Sequence, residues 1–283
     1  MPLRRRSRKL DSWKDAVEVN VLTGQQLQSI MPSIPTPRRE ALLPFLRAAM
    51  AEFAIETPAR VAAFVAQLAH ESGQFLFMEE IWGPTQAQRR YEPVSTLAAT
   101  LGNTESGDGK RFKGRGPIQI TGRANYRRFG DLLGLDLVSD PARAAHPELA
   151  FRIAGLFWSK KGLSELADRA TDEAFREITR RINGGFNGLD DRRKFYAVAR
   201  AVLGVVDEPI TRGTARTPPE VDDEPAFVRG AEAIRRHARR RDVTATKKSK
   251  TTKKGDKKDP KRKNSKKRKT ARTAARSKKP RAR

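Results

Sequence analysis

The sequence predicts a mainly α-helical domain over residues 17–205, with a small β element, flanked by basic segments that have no core of their own. Three observations lead there. Apolar residues between about 38 and 200 recur at helical spacing, and period-2 alternation is scarce. Thr, Pro and Gly stand where such helices would begin and end. The positive charge collects at the chain ends. Of a formal net charge of +26, residues 247–283 hold +18, from 20 Lys and Arg against Asp256 and Asp259, and residues 1–9 hold +5. The stretch 10–246 keeps only +3, so the extreme basicity does not belong to the folded part.

In chain order, residues 1–16 read as a basic, flexible arm. Arg4, Arg5, Arg6 and Arg8 are followed by polar residues rather than an apolar core, so a secretory signal is not expected. Leu42, Leu43, Phe45, Leu46 and Met50 place a helix over 38–53, after Pro35 and Pro37. Thr57-Pro58 is a capping residue followed by Pro at the first helical position. The helix it opens carries Val61, Phe64, Val65 and Leu68 on one stripe and stops near Ser72-Gly73. Residues 83–117, rich in Gly, Pro and polar side chains, predict long loops. Helices return at about 124–134, 147–161 and 172–182. Residues 206–242, with Pro209, Pro218, Pro219 and Pro225, read as a linker in which 227–241 can form a short helix. From 243 to 283 the chain is Lys, Arg and small residues without an aromatic, which predicts disorder.

Composition removes several function classes. There is no Cys, which excludes a disulfide framework, a thiol nucleophile and thiolate metal sites. No apolar run approaches the roughly 18–20 residues needed to span a bilayer. His70-Glu71 opens the zinc-protease pattern, but Gln74 stands where the second His must be. Gly114-Arg-Gly116 lacks the Lys and hydroxyl residue of a phosphate loop. No cofactor or metal is expected. Asp108, between two glycines, reads as a turn.

The chemistry-bearing candidates fall in three places. Glu71 lies at the C-terminal end of an amphipathic helix, on a rigid support beside a loop. The helix-end field and partial burial there favour the neutral, proton-carrying form of a carboxyl group. Glu80 follows nine residues later. Two carboxyls across one cleft are what glycoside hydrolysis uses, one to protonate the leaving oxygen and one to activate water. Residues 114–126 form the second place. If 118–121 is extended, Gln119 and Thr121 share a face, and Asn125 follows in the next helix. Neutral donors and acceptors of this kind suit a sugar. The third is a helix running into Asn183-Gly184-Gly185, where glycine permits close approach of a ligand. Trp82, Tyr91 and Trp158 could stack on sugars or fill the core. Trp158 sits on an apolar helix face, so Trp82 and Tyr91 are the better substrate candidates.

His70-Glu71-Ser72-Gly73, Gly114-Arg-Gly-Pro-Ile-Gln-Ile-Thr-Gly122 and Ile182-Asn183-Gly184-Gly185, in this order, resemble the signature of family 19 glycoside hydrolases, the plant-type chitinases and related phage and bacterial endolysins. Phe157-Trp158 also fits, and the resemblance spans about residues 38–200. Met78–Glu92 and the lack of Cys are more similar to the bacterial and phage branch. The resemblance implies a lysozyme-like, two-lobed helical fold and an inverting mechanism. Residue by residue it implies that Glu71 is the acid and Glu80 the second carboxylate, with Glu79 as rival. Thr121 matches the hydroxyl that holds the attacking water, and Gln119, Asn125 and Asn183 match substrate-binding positions. Arg192 matches the arginine that supports the acid, and His70 stands beside it in the motif. Asn187 stands where plant members have Glu, which weakens the expectation of plain chitin as substrate. The expected substrate is peptidoglycan, with chitin or its oligosaccharides as alternative. The expected form is a monomer, made in the cytoplasm and acting at the cell wall after release or assisted export.

The basic tail allows a reading of another class. A block of about 20 cationic side chains binds any polyanion through counterion release, nucleic acid included. Anionic wall or outer-membrane polymers are the expected partner, because a tether raises local concentration at the substrate.

Overall fold

The computed structural model describes residues 22–206. The arm 1–16, the linker and short helix expected beyond Val206, and the tail 243–283 lie outside the described residues. Those described form α1 (Gly24–Ile30), α2 (Thr36–Glu52), α3 (Pro58–Glu71), α4 (Gln86–Arg89), α5 (Thr96–Leu101), α6 (Asp108–Arg111), α7 (Arg123–Leu133), α8 (Pro147–Lys160), α9 (Leu163–Ala167), α10 (Asp172–Asn183) and α11 (Leu189–Leu203), with a 3-10 turn at Pro141–Ala145. The mainly helical class is therefore as the sequence predicts. Among the described residues no helix is long and apolar enough to cross a membrane.

The fold is organised around α3. The Thr57 hydroxyl accepts the Arg60 N–H at 3.2 Å, and Pro58 sets the first helical φ without forfeiting a hydrogen bond. The sequence stripe suggests one buried face, yet every side chain from Val61 to Glu71 is buried. A helix enclosed on all sides must satisfy its polar residues internally, which decides what Gln67, His70 and Glu71 do. α11 packs along α3 and α9 abuts it, while α2 packs on α8 and α1 on α11. Phe64 meets Trp158 edge-on at 5.2 Å between ring centroids, and Phe75 meets Phe151 in the same way. Trp158 is thus core, its indole N–H donating to the Ser164 hydroxyl at 3.1 Å.

Three features depart from the sequence reading. The expected loop stretch 83–117 contains α4, α5 and α6, short helices begun by local caps such as Thr85 and Ser95. α11 was not expected, although Asp190 and Asp191 in its first turn and glycines at both ends suit a helix. The extended segment expected at 118–121 is a tight turn. Arg115 and Ile120 exchange backbone hydrogen bonds at 3.1 and 3.0 Å, and Gln119 sits at φ +59°. Among the described residues the β structure amounts to two isolated bridges, Glu79 with Arg115 and Arg115 with Ile120.

Candidate active site

The site has two halves. The first is built where α3 ends against α11. Gln67, His70 and Glu71 lie at i, i+3 and i+4 on α3 and so share a face. Arg192 of α11 is fully buried and donates one terminal nitrogen to Glu71 Oε1 and the other to Gln67 Oε1. His70 Nδ1 lies 2.6 Å from Asp191 Oδ2, one residue earlier on α11. The Glu71 carboxyl, which the sequence places at a cleft rim, is wholly enclosed at 0% exposure and faces a guanidinium. Its rim position gives way to burial because α11, absent from the sequence reading, closes over it.

The second half is built by loops. The chain 77–80 runs beside 114–119. Glu80 N–H donates to Gly114 O at 2.8 Å, and the Gly114 N–H returns a hydrogen bond to Glu80 Oε2 at 3.0 Å. Glu80 Oε1 accepts from Gln88 Nε2 at 3.1 Å, and the Tyr91 hydroxyl also donates to this carboxyl. Burial pushes the Glu80 pKa up to about 7, against the lowering effect of the Gly114 and Gln88 donors, the nearby Lys113 charge and Tyr91. Glu79 points elsewhere: it is partly exposed and paired with Arg115 at 2.9 Å and Lys113 at 3.4 Å. Of the two candidates for the second carboxylate, Glu80 is the buried one.

Gly114 ties this half together by having no side chain. A Cβ there would lie 2.6 Å from Gln119 Oε1 and 3.4 Å from both Glu80 Oε2 and Thr121 Oγ1. The Thr121 hydroxyl donates to Gln119 O at 3.0 Å, leaving its lone pairs for another donor such as water. Gln119 Nε2 donates to Gly116 O at 2.7 Å and Phe77 O at 3.3 Å, whereas its buried Oε1 has no partner. A ligand N–H or hydroxyl would satisfy it.

The structure brings Glu80, Gln119 and Thr121 together and groups Glu71, His70 and Arg192 separately, joined to them by chain 72–80. Asn125, half-buried on α7, donates to Thr121 O at 2.7 Å and so braces the Thr121 turn. Asn183 ends α10, which Gly184 stops at φ +67°; its Nδ2 is buried without a partner. Tyr91 departs from its expected role. It is 1% exposed, packed with Leu97 and Leu101 and 6.2 Å from the Trp82 ring, so it presents no face to a sugar and acts instead through its hydroxyl on Glu80. Trp82 is half-buried against the same cluster. Asp108 is more than a turn: it is buried and grips Arg123 with both oxygens at 2.8 and 2.6 Å.

Sequence reasoning missed Gln67, Thr179, Gln88 and Asp191. For Gln88 a signal existed. Thr85-x-x-Gln88 is a capping box, in which Gln88 Oε1 accepts the Thr85 N–H at 2.8 Å. The other end of the same amide holds Glu80. Among the described residues no group of three or more His, Asp or Glu side chains could hold a metal ion.

The family model described as chitinase class I, of glycoside hydrolase family 19, matches residues 48–167. A glycosyl hydrolase family 19 domain-containing protein of Haemophilus influenzae is 36% identical over 158 residues, covering 48% of this chain and 76% of that protein. An endochitinase of Arabidopsis thaliana is 42% identical over 126 residues, covering 44% of this chain but only 39% of that enzyme. A second is 38% identical, with 48% of its length covered, so the chain spans less than half of these plant relatives. The fold is similar to that of chitinase C from Streptomyces griseus, with a TM-score of 0.52 at 21% identity, covering 67% of this chain and 95% of that one. It is also similar to a class IV chitinase from Zea mays, with a TM-score of 0.50 at 24% identity, covering 67% and 96%.

Proposed function

The chain belongs to glycoside hydrolase family 19, and from that premise we propose an endo-acting hydrolase that cuts β-1,4 bonds of N-acetylglucosamine-containing cell-wall glycans with inversion. The observation that carries the reading is a pair of buried carboxyls in unlike surroundings, Glu71 against a guanidinium and Glu80 among neutral donors. Unlike environments let two carboxyls take different roles. Glu71 gives its proton to the leaving glycosidic oxygen. Glu80, once ionised, takes a proton from the water that Thr121 holds, and that water attacks the opposite face of the sugar. A base with a pKa of about 7 is matched to neutral pH. Gln119 Oε1 and Asn183 Nδ2, an acceptor and a donor without protein partners, suit hydroxyl and acetamido groups, and Asn125, His70, Arg192 and Trp82 complete the walls. Glu71, Glu80 and Thr121 are sealed from solvent, so glycan entry requires these walls to part.

Peptidoglycan is the favoured substrate. The excess charge of the chain termini suits an anionic wall polymer, and polyanion binding by residues 243–283 would hold the enzyme there. The enzyme would be made in the cytoplasm, reach the wall after release or assisted export, and work as a monomer. The relatives named endochitinases favour chitin as the second reading. The test is product analysis on peptidoglycan and on chitin oligosaccharides side by side, with Glu71→Gln as control. Loss of about 10²–10⁴-fold in turnover by Glu71→Gln is expected. Activity on chitin alone would overturn the peptidoglycan reading, and undiminished turnover by Glu71→Gln would overturn the mechanism.

A further inference from the structure

The Glu71 half contains more polar side chains than the reaction uses. Gln67, Thr179, Arg192 and Glu71 are all 0% exposed and come from three helices. Their hydrogen bonds have a fixed direction. The Thr179 hydroxyl donates to Phe175 O, one turn back on α10, at 3.0 Å. With its single proton committed, it can only accept, and it accepts from Gln67 Nε2 at 2.9 Å. That contact turns the Gln67 amide so that its oxygen, not its nitrogen, faces α11. Oε1 takes one terminal nitrogen of Arg192, and the other terminal nitrogen is left for Glu71.

The reverse orientation of the amide would press two donors against each other in a site without water access, and an unmade hydrogen bond there is costly. The orientation is therefore not optional. Gln67 lies one turn before Glu71 on α3 and Thr179 lies on α10, and their side-chain hydrogen bonds reach Glu71 only through Arg192. We propose that Gln67 and Thr179 are positioning residues: Thr179 sets the Gln67 amide, Gln67 holds the Arg192 guanidinium in the plane that meets Glu71 Oε1, and the acid is aimed through that relay. The inference rests on Glu71 being the proton donor. It goes beyond the motif residues, because Thr179 lies 112 positions from Gln67 and in none of the three motifs.

A relay that only aims the acid changes turnover and not glycan binding. Misplacement of a catalytic group by about 1 Å costs on the order of a hundredfold in rate. The experiment uses the full chain with soluble peptidoglycan strands and an N-acetylglucosamine hexamer side by side, and kcat and KM are read on whichever the parent cuts. Thr179→Val keeps the shape and removes the acceptor; it should lower kcat by about tenfold to a hundredfold, with KM within about twofold of the parent. Thr179→Ser, which restores the hydroxyl, should recover most of the lost turnover. Gln67→Glu, nearly isosteric, gives Arg192 a competing carboxylate and should lower kcat in the same way, which keeps the test open if the Val variant folds poorly. An unchanged kcat in folded Thr179→Val or Gln67→Glu overturns the relay, as does a Ser variant no better than Val. Glu71→Gln in parallel separates the two claims. If that variant is inactive while the relay variants turn over normally, only the relay fails. If it is active, the assignment of the acid fails first.

Discussion

The two carboxyls of the site are the same residue type nine positions apart, and the molecule treats them in opposite ways. Glu71 stands at the end of a rigid helix that is buried from Val61 onward and is met by charge, the Arg192 guanidinium. Glu80 stands on a loop and is met by neutral donors, a backbone N–H, the Gln88 amide and the Tyr91 hydroxyl. Burial, outweighing the neutral donors and the nearby Lys113 charge, raises the Glu80 pKa to about 7. The difference teaches that a fold can hold two carboxyls out of water by two routes, an opposite charge for one and dipoles plus a tolerated proton for the other.

Removing the opposite charge should break the Glu71 half most severely. Arg192→Ala takes the donor away from two buried acceptors, Glu71 Oε1 and Gln67 Oε1, and each hydrogen bond left unmade costs about 1–3 kcal/mol. Chemical denaturation should show that loss, whereas a midpoint shift of less than about 1 kcal/mol would mean the pair behaves as a surface bridge. The Glu80 half should show its character through pH. Its folded pKa lies above the ordinary glutamate value of 4.5, so the protonated form favours folding. The stability this confers is fully present below about pH 4.5 and is lost as pH rises through about 7, amounting to about 3 kcal/mol. Stability curves of the parent and Glu80→Gln from pH 4 to 8 should therefore converge or cross in that direction. Over the same range kcat/KM of the parent should climb, because only ionised Glu80 serves as base. Parallel stability curves would place the titration elsewhere. The smallest effect expected is at Gly114. Gly114→Ala sets a methyl 2.6 Å from Gln119 Oε1 and crowds Glu80 and Thr121. Overpacking of this kind costs about 1–3 kcal/mol, and here it should also raise KM, since Gln119 must move. An Ala variant with parental KM and melting point would show that the Glu80 half is soft.

Legibility followed the same division. Glu71 was readable because Thr57-Pro58 and the periodic Val61, Phe64, Val65 and Leu68 announce α3 before anything else is known. Glu80 was readable only through its separation from Glu71 and the family resemblance, with Glu79 as rival, since nothing in the local pattern says that Gln88 and Tyr91 will fold over it. Tyr91 looked like a sugar platform because an aromatic in a polar loop resembles one; in the fold it fills a small core with Leu97 and Leu101. Gln119 and Thr121 were paired for the wrong reason. Alternation suggested an extended face, whereas a left-handed Gln119 inside a tight turn brings them to Gly114.

By itself the sequence determined the helical class and the limits of α3, α8 and α10 to within a residue or two, because periodicity and capping are local and each residue votes with its near neighbours. Only tertiary structure decided which polar groups meet. Gln67 with Thr179, Glu71 with Arg192 and His70 with Asp191 join positions more than 100 residues apart. A buried donor must find an acceptor somewhere, and that requirement acts on whatever the packed helices bring within reach, irrespective of distance along the chain.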